Sequence, residues 1–212
     1  IIGTYGRQFI VWDGFILDER NILTTADTGP LVVWQSNNVT IQNMRIQGYS
    51  RGWVDNHNAI RLERVDNIVI RNNQVSGYRE SQGINASAVT MYHTQTALVE
   101  HNHFYDVSSA VHVKGVIDGP VTVRNNLIHD VHVGIVFGGV GTANAQNGAT
   151  AYRNIIYNAW AGVSFMGYDT YSPANVSVVN NTIANVSGAD GGGVLFRPDP
   201  YGYRNLNVHN NV

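Results

Sequence analysis

This 212-residue chain contains one lysine, Lys114, in the stretch SSAVHVKGVIDGP (108–120), two positions after His112. An amine serves as a general base when partial desolvation and nearby cations weaken its hold on a proton. A phenol or an imidazole serves as the matching proton donor, and Tyr92 and His112 are groups of that kind. Such proton-transfer chemistry requires the three side chains to meet, so the elements that carry them decide the matter.

Those elements are repeats. VTIQNMRI (39–46), IVIRNNQV (68–75), LVEHNHF (98–104), VTVRNNLI (121–128), TAYRNII (150–156), VSVVNNTI (176–183) and LNVHNNV (206–212) share one template. Asn73, Asn102, Asn126, Asn154, Asn181 and Asn211 hold a common position, with Met44 in the first copy, at spacings of 24 to 30 residues. A second template alternates with the first: AIRLE (59–63), AVTMY (88–92), AVHVK (110–114), GIVFG (134–138), GVSFM (162–166) and GVLFR (193–197). Each copy carries short alternating patterns rich in Val and Ile and punctuated by Asn and Gly, and none has a helix-length period. Repeats of this kind predict a solenoid in which each copy makes one turn and pairs with its equivalents. Asn tolerates left-handed φ and bonds nearby peptide groups, which gives the recurring asparagines a backbone role.

The two templates together, V-x-V-R-N-N-x-I and G-I-x-F, resemble the right-handed parallel β-helix repeat of the pectate-lyase-like superfamily over about Phe9 to Val212. The expected fold is an all-β parallel β-helix of about seven coils with an Asn ladder, one domain over 1–212. The template runs to both ends without caps, so the chain reads as a fragment of a longer polypeptide. The resemblance is specific for fold and much less so for activity, because this fold hosts lyases, hydrolases, epimerases and phage spikes.

Composition excludes several classes. A formal net charge of −2 argues against a nucleic-acid partner held by a basic surface. No apolar run approaches a membrane span, and IIGTYGRQF lacks the features of a signal peptide. Without cysteine there is no disulfide framework or thiolate metal site. An extracellular or periplasmic location follows from the family resemblance alone.

Alternation fixes the register. Val111 and Val113 point inward, so His112 and Lys114 point out. Stacking the copies gives one outward column of Arg61, Thr90, His112, Val136, Ser164 and Leu195, and another of Glu63, Tyr92, Lys114, Gly138, Met166 and Arg197. With coils about 4.8 Å apart, Tyr92, Lys114 and His112 converge, Gly138 leaves an open floor beside them, and Arg197 lies roughly 14 Å from Lys114. The local positive charge suits an acidic polysaccharide. The resemblance implies β-elimination on a uronate polymer with Lys114 as base, since several lyases of this fold use a lysine or arginine on the helix face. Tyr92 or His112 is then the candidate acid, and Arg61 or Arg197 neutralises a carboxylate. Arg61, Glu63, Arg197, Tyr168 and Asp169 are assigned to substrate contact. The loops 138–150 and 166–175 leave the same strands and could wall a groove.

Competing readings are a glycoside hydrolase, a uronate epimerase and a noncatalytic carbohydrate-binding or structural segment. Hydrolysis calls for paired carboxylates, and the columns hold only Glu63. Calcium enters by resemblance, but Glu63, Asp118 and Asp169 form no recognisable ligand loop, so no metal or cofactor is assigned. His101, His103, His129 and His132 are read as turn or surface residues, short of the converging ligands zinc wants. Five N-x-S/T sequons, at Asn38, Asn85, Asn175, Asn180 and Asn185, are read as a by-product of the Asn-rich turns.

Overall fold

Val, Ile and Phe at every second position fold the chain into parallel strands whose inward side chains make one continuous core. The computed structural model describes residues 2–22, 29–49, 56–80, 83–115, 119–138, 148–166, 173–188, 191–197 and 202–212; all the regular elements among them are strands. The strands form an eight-stranded sheet and a branched twelve-stranded sheet that bends to make two walls. The first wall comprises Ile2–Tyr5, Leu31–Trp34, Ile60–Glu63 and Ser87–Tyr92, then the C-terminal halves of His103–Lys114, Leu127–Gly138 and Ile155–Met166, and finally Val194–Phe196. The eight-stranded sheet is the second wall, running from Gln8–Asp13 to Arg204–His209, one strand per turn. The third wall starts at Ile16–Asp18, continues through the N-terminal halves of the three long strands, and ends at Thr182–Val186. All the pairings are parallel, as a solenoid with one strand of each wall per coil requires.

The core runs from coil to coil. Val89, Met91, Val111, Val113, Ile135, Phe137, Val163 and Phe165 belong to a single buried cluster. At its C-terminal end Phe165 of this cluster stacks on the exposed Phe196 with ring centroids 4.9 Å apart and planes 5° apart.

The Asn ladder is present in the predicted positions. Each member donates from Nδ2 to the Oδ1 of the next, from Asn73 through Asn102, Asn126, Asn154 and Asn181 to Asn211, at 2.9–3.0 Å. The same Oδ1 atoms accept the backbone N–H of the preceding member, and Met44 N–H donates to Asn73 in the same way. Each Nδ2 also reaches a carbonyl one coil back, as Asn126 does to Val99 at 3.0 Å. Buried peptide groups at this corner thus find partners that no strand supplies.

One detail differs from expectation. Left-handed φ belongs to the residue before each ladder position, at Asn43, Asn72, His101, Asn125, Arg153, Asn180 and Asn210, and the ladder asparagines themselves are not left-handed. In N-N pairs the first Asn makes the turn and the second makes the ladder. The other corners have their own left-handed columns, among them Asp106, Asp130, Asn158 and Asn185. Four of the five sequon asparagines, Asn38, Asn175, Asn180 and Asn185, are left-handed turn residues, in keeping with their reading as turn chemistry.

Candidate functional site

The predicted columns stand in register on the outside of the first wall. Thr90 pairs with Arg61 on one side and His112 on the other, and Tyr92 with Glu63 and Lys114. The row continues from His112 through Val136 and Ser164 to Leu195, while Gly138 pairs with Met166. Strand parity is therefore as alternation predicted.

The middle of the face these residues occupy is covered, while Arg61, Glu63 and Tyr92 remain partly exposed. Lys114 is only 3% exposed and His112 2%, and Thr90, Val136 and Ser164 are completely buried. Part of the cover is Glu80 with residues 83–86, which lie over the wall. Ile84 packs on Val133, Val136 and Ala161 in a second apolar cluster, separate from the core, with Trp160, Met166 and Leu195 at its margin. The Ile84 carbonyl accepts from Ser109 Oγ at 2.7 Å and from Ser87 Oγ at 3.2 Å. Glu80 anchors the segment: its N–H donates to Ser108 Oγ, and its Oε1 accepts the backbone N–H groups of Asn85 and Ala86. The expected open floor at Gly138 is absent as well. Its φ is +134°, and a Cβ there would sit 1.8 Å from the Met166 carbonyl oxygen, so glycine serves close backbone packing.

Under this cover the Lys114 amine donates to Asn85 Oδ1 at 2.5 Å and to the Tyr92 hydroxyl at 3.3 Å. Lys114 Nζ, from the following coil, and the Arg61 guanidinium, from the preceding one, lie 5.2 and 4.9 Å from the Tyr92 ring centroid. Negative charge developing on that hydroxyl therefore meets two cations. Arg61 also bonds Glu63 at 2.6 Å. A second support comes from 56–58: Tyr92 reaches Asn56 Oδ1 at 3.4 Å, and Asn58 Oδ1 accepts from Thr90 Oγ1 at 2.7 Å and from Ser87 N–H. Burial, reinforced by the charge of Lys114, holds His112 well below the usual histidine range, so its imidazole is neutral near pH 7. Among the described residues its buried Nδ1 has no hydrogen-bond partner.

Arg197 is not brought to this group. It belongs three coils further on, its guanidinium lies 5.5 Å from the Trp160 ring, and its buried Nε makes no hydrogen bond among the described residues. Tyr168 and Asp169, with Asp118 and most of the loops 138–150 and 166–175, lie outside the described residues. Among the described residues no group of three or more His, Asp or Glu side chains could hold a metal ion.

A family model for the right-handed β-helix region matches residues 29–212. The chain belongs to the right-handed β-helix family. No curated protein matches it. Membership in the β-helix family accounts for the repeat and the ladder, and leaves the chemistry to be argued from the residues on the wall.

Sequence reasoning missed Asn85, Asn56, Asn58 and Glu80. They lie in segments without periodicity, and nothing local indicates that Glu80 and residues 83–86 lie on the wall. It also missed a buried network in the first coils, where Glu19 Oε2 accepts from the Tyr78 hydroxyl at 2.9 Å and lies 3.1 Å from His57 Nε2. Desolvation, then the Glu19 charge, pushes the Tyr78 phenol far up.

Proposed function

We propose that this β-helix is carbohydrate-active and cleaves a uronate-containing polysaccharide by β-elimination, with Lys114 as base and Tyr92 as acid. One observation carries the reading: the only lysine of the chain is held on the outer face of the helix within 3.3 Å of a phenol on the neighbouring coil. In this scheme the neutral amine removes the proton from the carbon bearing the sugar carboxylate. Tyr92 gives its proton to the departing glycosidic oxygen, and the ammonium then returns a proton to the phenolate. Arg61 pairs the carboxylate at this sugar, and Arg197 serves one further along the polymer. Because His112 is neutral, it accepts or donates a hydrogen bond and leaves the acid role to Tyr92. Residues 83–86 must lift for a polymer to enter. The partner is an acidic polysaccharide, and the location is extracellular or periplasmic.

The covering of the face favours a second reading. With Val136 and Ser164 fully buried and Ile84 seated on the wall, the chain suits a noncatalytic binding or structural segment. One assay separates the two. The protein is incubated with pectate, alginate and glycosaminoglycans while ultraviolet absorbance from unsaturated uronate ends is followed. Absorbance that vanishes in Lys114→Ala supports elimination. Reducing ends without absorbance point to hydrolysis, and retained binding without turnover points to the second reading.

A further inference from the structure

The third wall carries a group of side chains that the proposed chemistry leaves unused. Tyr105, His129 and Tyr157 occupy one outward column on successive coils. The His129 ring stacks between the two phenols, 5.3 Å from Tyr105 with planes 9° apart and 4.9 Å from Tyr157 with planes 13° apart. Its Nδ1 lies 2.7 Å from Asp130 Oδ2, and the other Asp130 oxygen accepts from Asn158 Nδ2 at 3.0 Å. A carboxylate at Nδ1 fixes the proton there and leaves the Nε2 lone pair facing outward. His103 sits diagonally opposite, and its Nε2 is 2.7 Å from that lone pair.

We propose that His103 and His129 form a two-histidine site for a divalent transition-metal ion such as Cu2+ or Zn2+. The argument rests on preorganisation. The His129 ring is clamped on both faces, its tautomer is set by Asp130, and Asp130 is itself held by Asn158, the supporting arrangement that metal-binding histidines use. His103 borders a surface groove with Arg45, Gln74 and His101, which gives an ion a path from solvent. Tetrahedral ligation at about 2.0–2.1 Å needs the two nitrogens about 3.3 Å apart, a parting of a fraction of an ångström for the half-buried His103. On binding, the proton of His103 moves from Nε2 to Nδ1, and both Nε2 lone pairs go to the metal. With two protein ligands, water completes the coordination, and imidazole donors select copper, nickel or zinc over calcium or magnesium.

The test is a titration of tag-free protein with Cu2+, with Zn2+, and with Ca2+ as a hard-ion comparison, by calorimetry and electron paramagnetic resonance. The expected result is one Cu2+ whose pulsed spectrum counts two bound imidazoles. Binding should weaken at least tenfold in His103→Ala and in His129→Ala, and about tenfold in Asp130→Asn, and His101→Ala should leave it unchanged. A count other than two imidazoles in the wild-type protein would overturn the proposal even if a variant failed to fold. So would affinity that survives both alanine substitutions, or no binding of either soft ion.

Discussion

The Lys114 amine reaches across one coil to the Tyr92 hydroxyl, 3.3 Å away, while the same amine is bonded to Asn85 in the segment that covers it. Lys114, Tyr92 and the cover over them are thus parts of one hydrogen-bonded group. Anything that loosens residues 83–86 should also change access to the amine.

Lys114 should resist amine acylation in the native protein. Glu80→Ala removes the acceptor for two backbone N–H groups of the covering segment, at a cost of about 1–3 kcal/mol. Acylation should then become faster at Lys114, read by peptide mapping that separates it from the N-terminal amine. Equal labelling of both proteins would show that the segment does not guard the lysine.

Tyr92→Phe keeps the ring between Arg61 and Lys114 and deletes only the proton donor. If elimination runs as proposed, turnover should fall by about 10²–10⁴-fold while polymer binding changes little. Steady-state kinetics beside a binding isotherm checks this, and unaltered turnover would remove Tyr92 from the acid role.

Asn126→Ala cuts the ladder in its interior. It strips Asn102 N–H and Nδ2 of their acceptor and the Val99 carbonyl of a donor. With buried groups left unpaired, destabilisation of about 2–4 kcal/mol is expected. Asn211→Ala, whose bonds to Asn181 are only partly buried, should cost less in the same urea titration.

Stability should fall on mild acidification. Desolvation is the largest cause of lowered proton affinity at His112, His103 and His132, seconded by Lys114, His129 and Arg79 respectively. The folded state keeps these imidazoles neutral, while the unfolded chain takes up protons from about pH 6.5 downward. Unfolding free energy should be level above that pH and decline below it, through the lowered folded-state values. Asp13, Asp18 and Asp130, whose carboxyls are held below the usual range, add their loss only at lower pH. Thermal melts between pH 8 and 4.5 measure the onset. His112→Gln should reduce the slope, and a flat profile down to pH 5 would contradict the burial argument.

The core and the ladder were legible because both are written in local periods. The alternation in AVHVK alone sets Val111 and Val113 inward, and a repeat of 24 to 30 residues stacks Asn102 on Asn126. Even here one step was misplaced: left-handed φ belongs to Asn72 and Asn125 rather than to the ladder residues beside them. In an N-N pair, sequence does not say which member turns. The histidines show the limit of column alignment. His103 pairs in register with Leu127, yet its ring meets His129 on the diagonal, a contact made by side-chain reach across neighbouring coils.

By itself the sequence determined the parallel β-helix, the ladder and which residues point out of the coil, since side-chain period and repeat length impose these on any chain that must bury alternate apolar positions. Only the tertiary structure decided that the outward face is closed over Lys114 and His112. Where Glu80 and residues 83–86 lie depends on long-range bonds from Glu80, Ile84 and Asn85 to strands a coil or more away, and no local pattern encodes them.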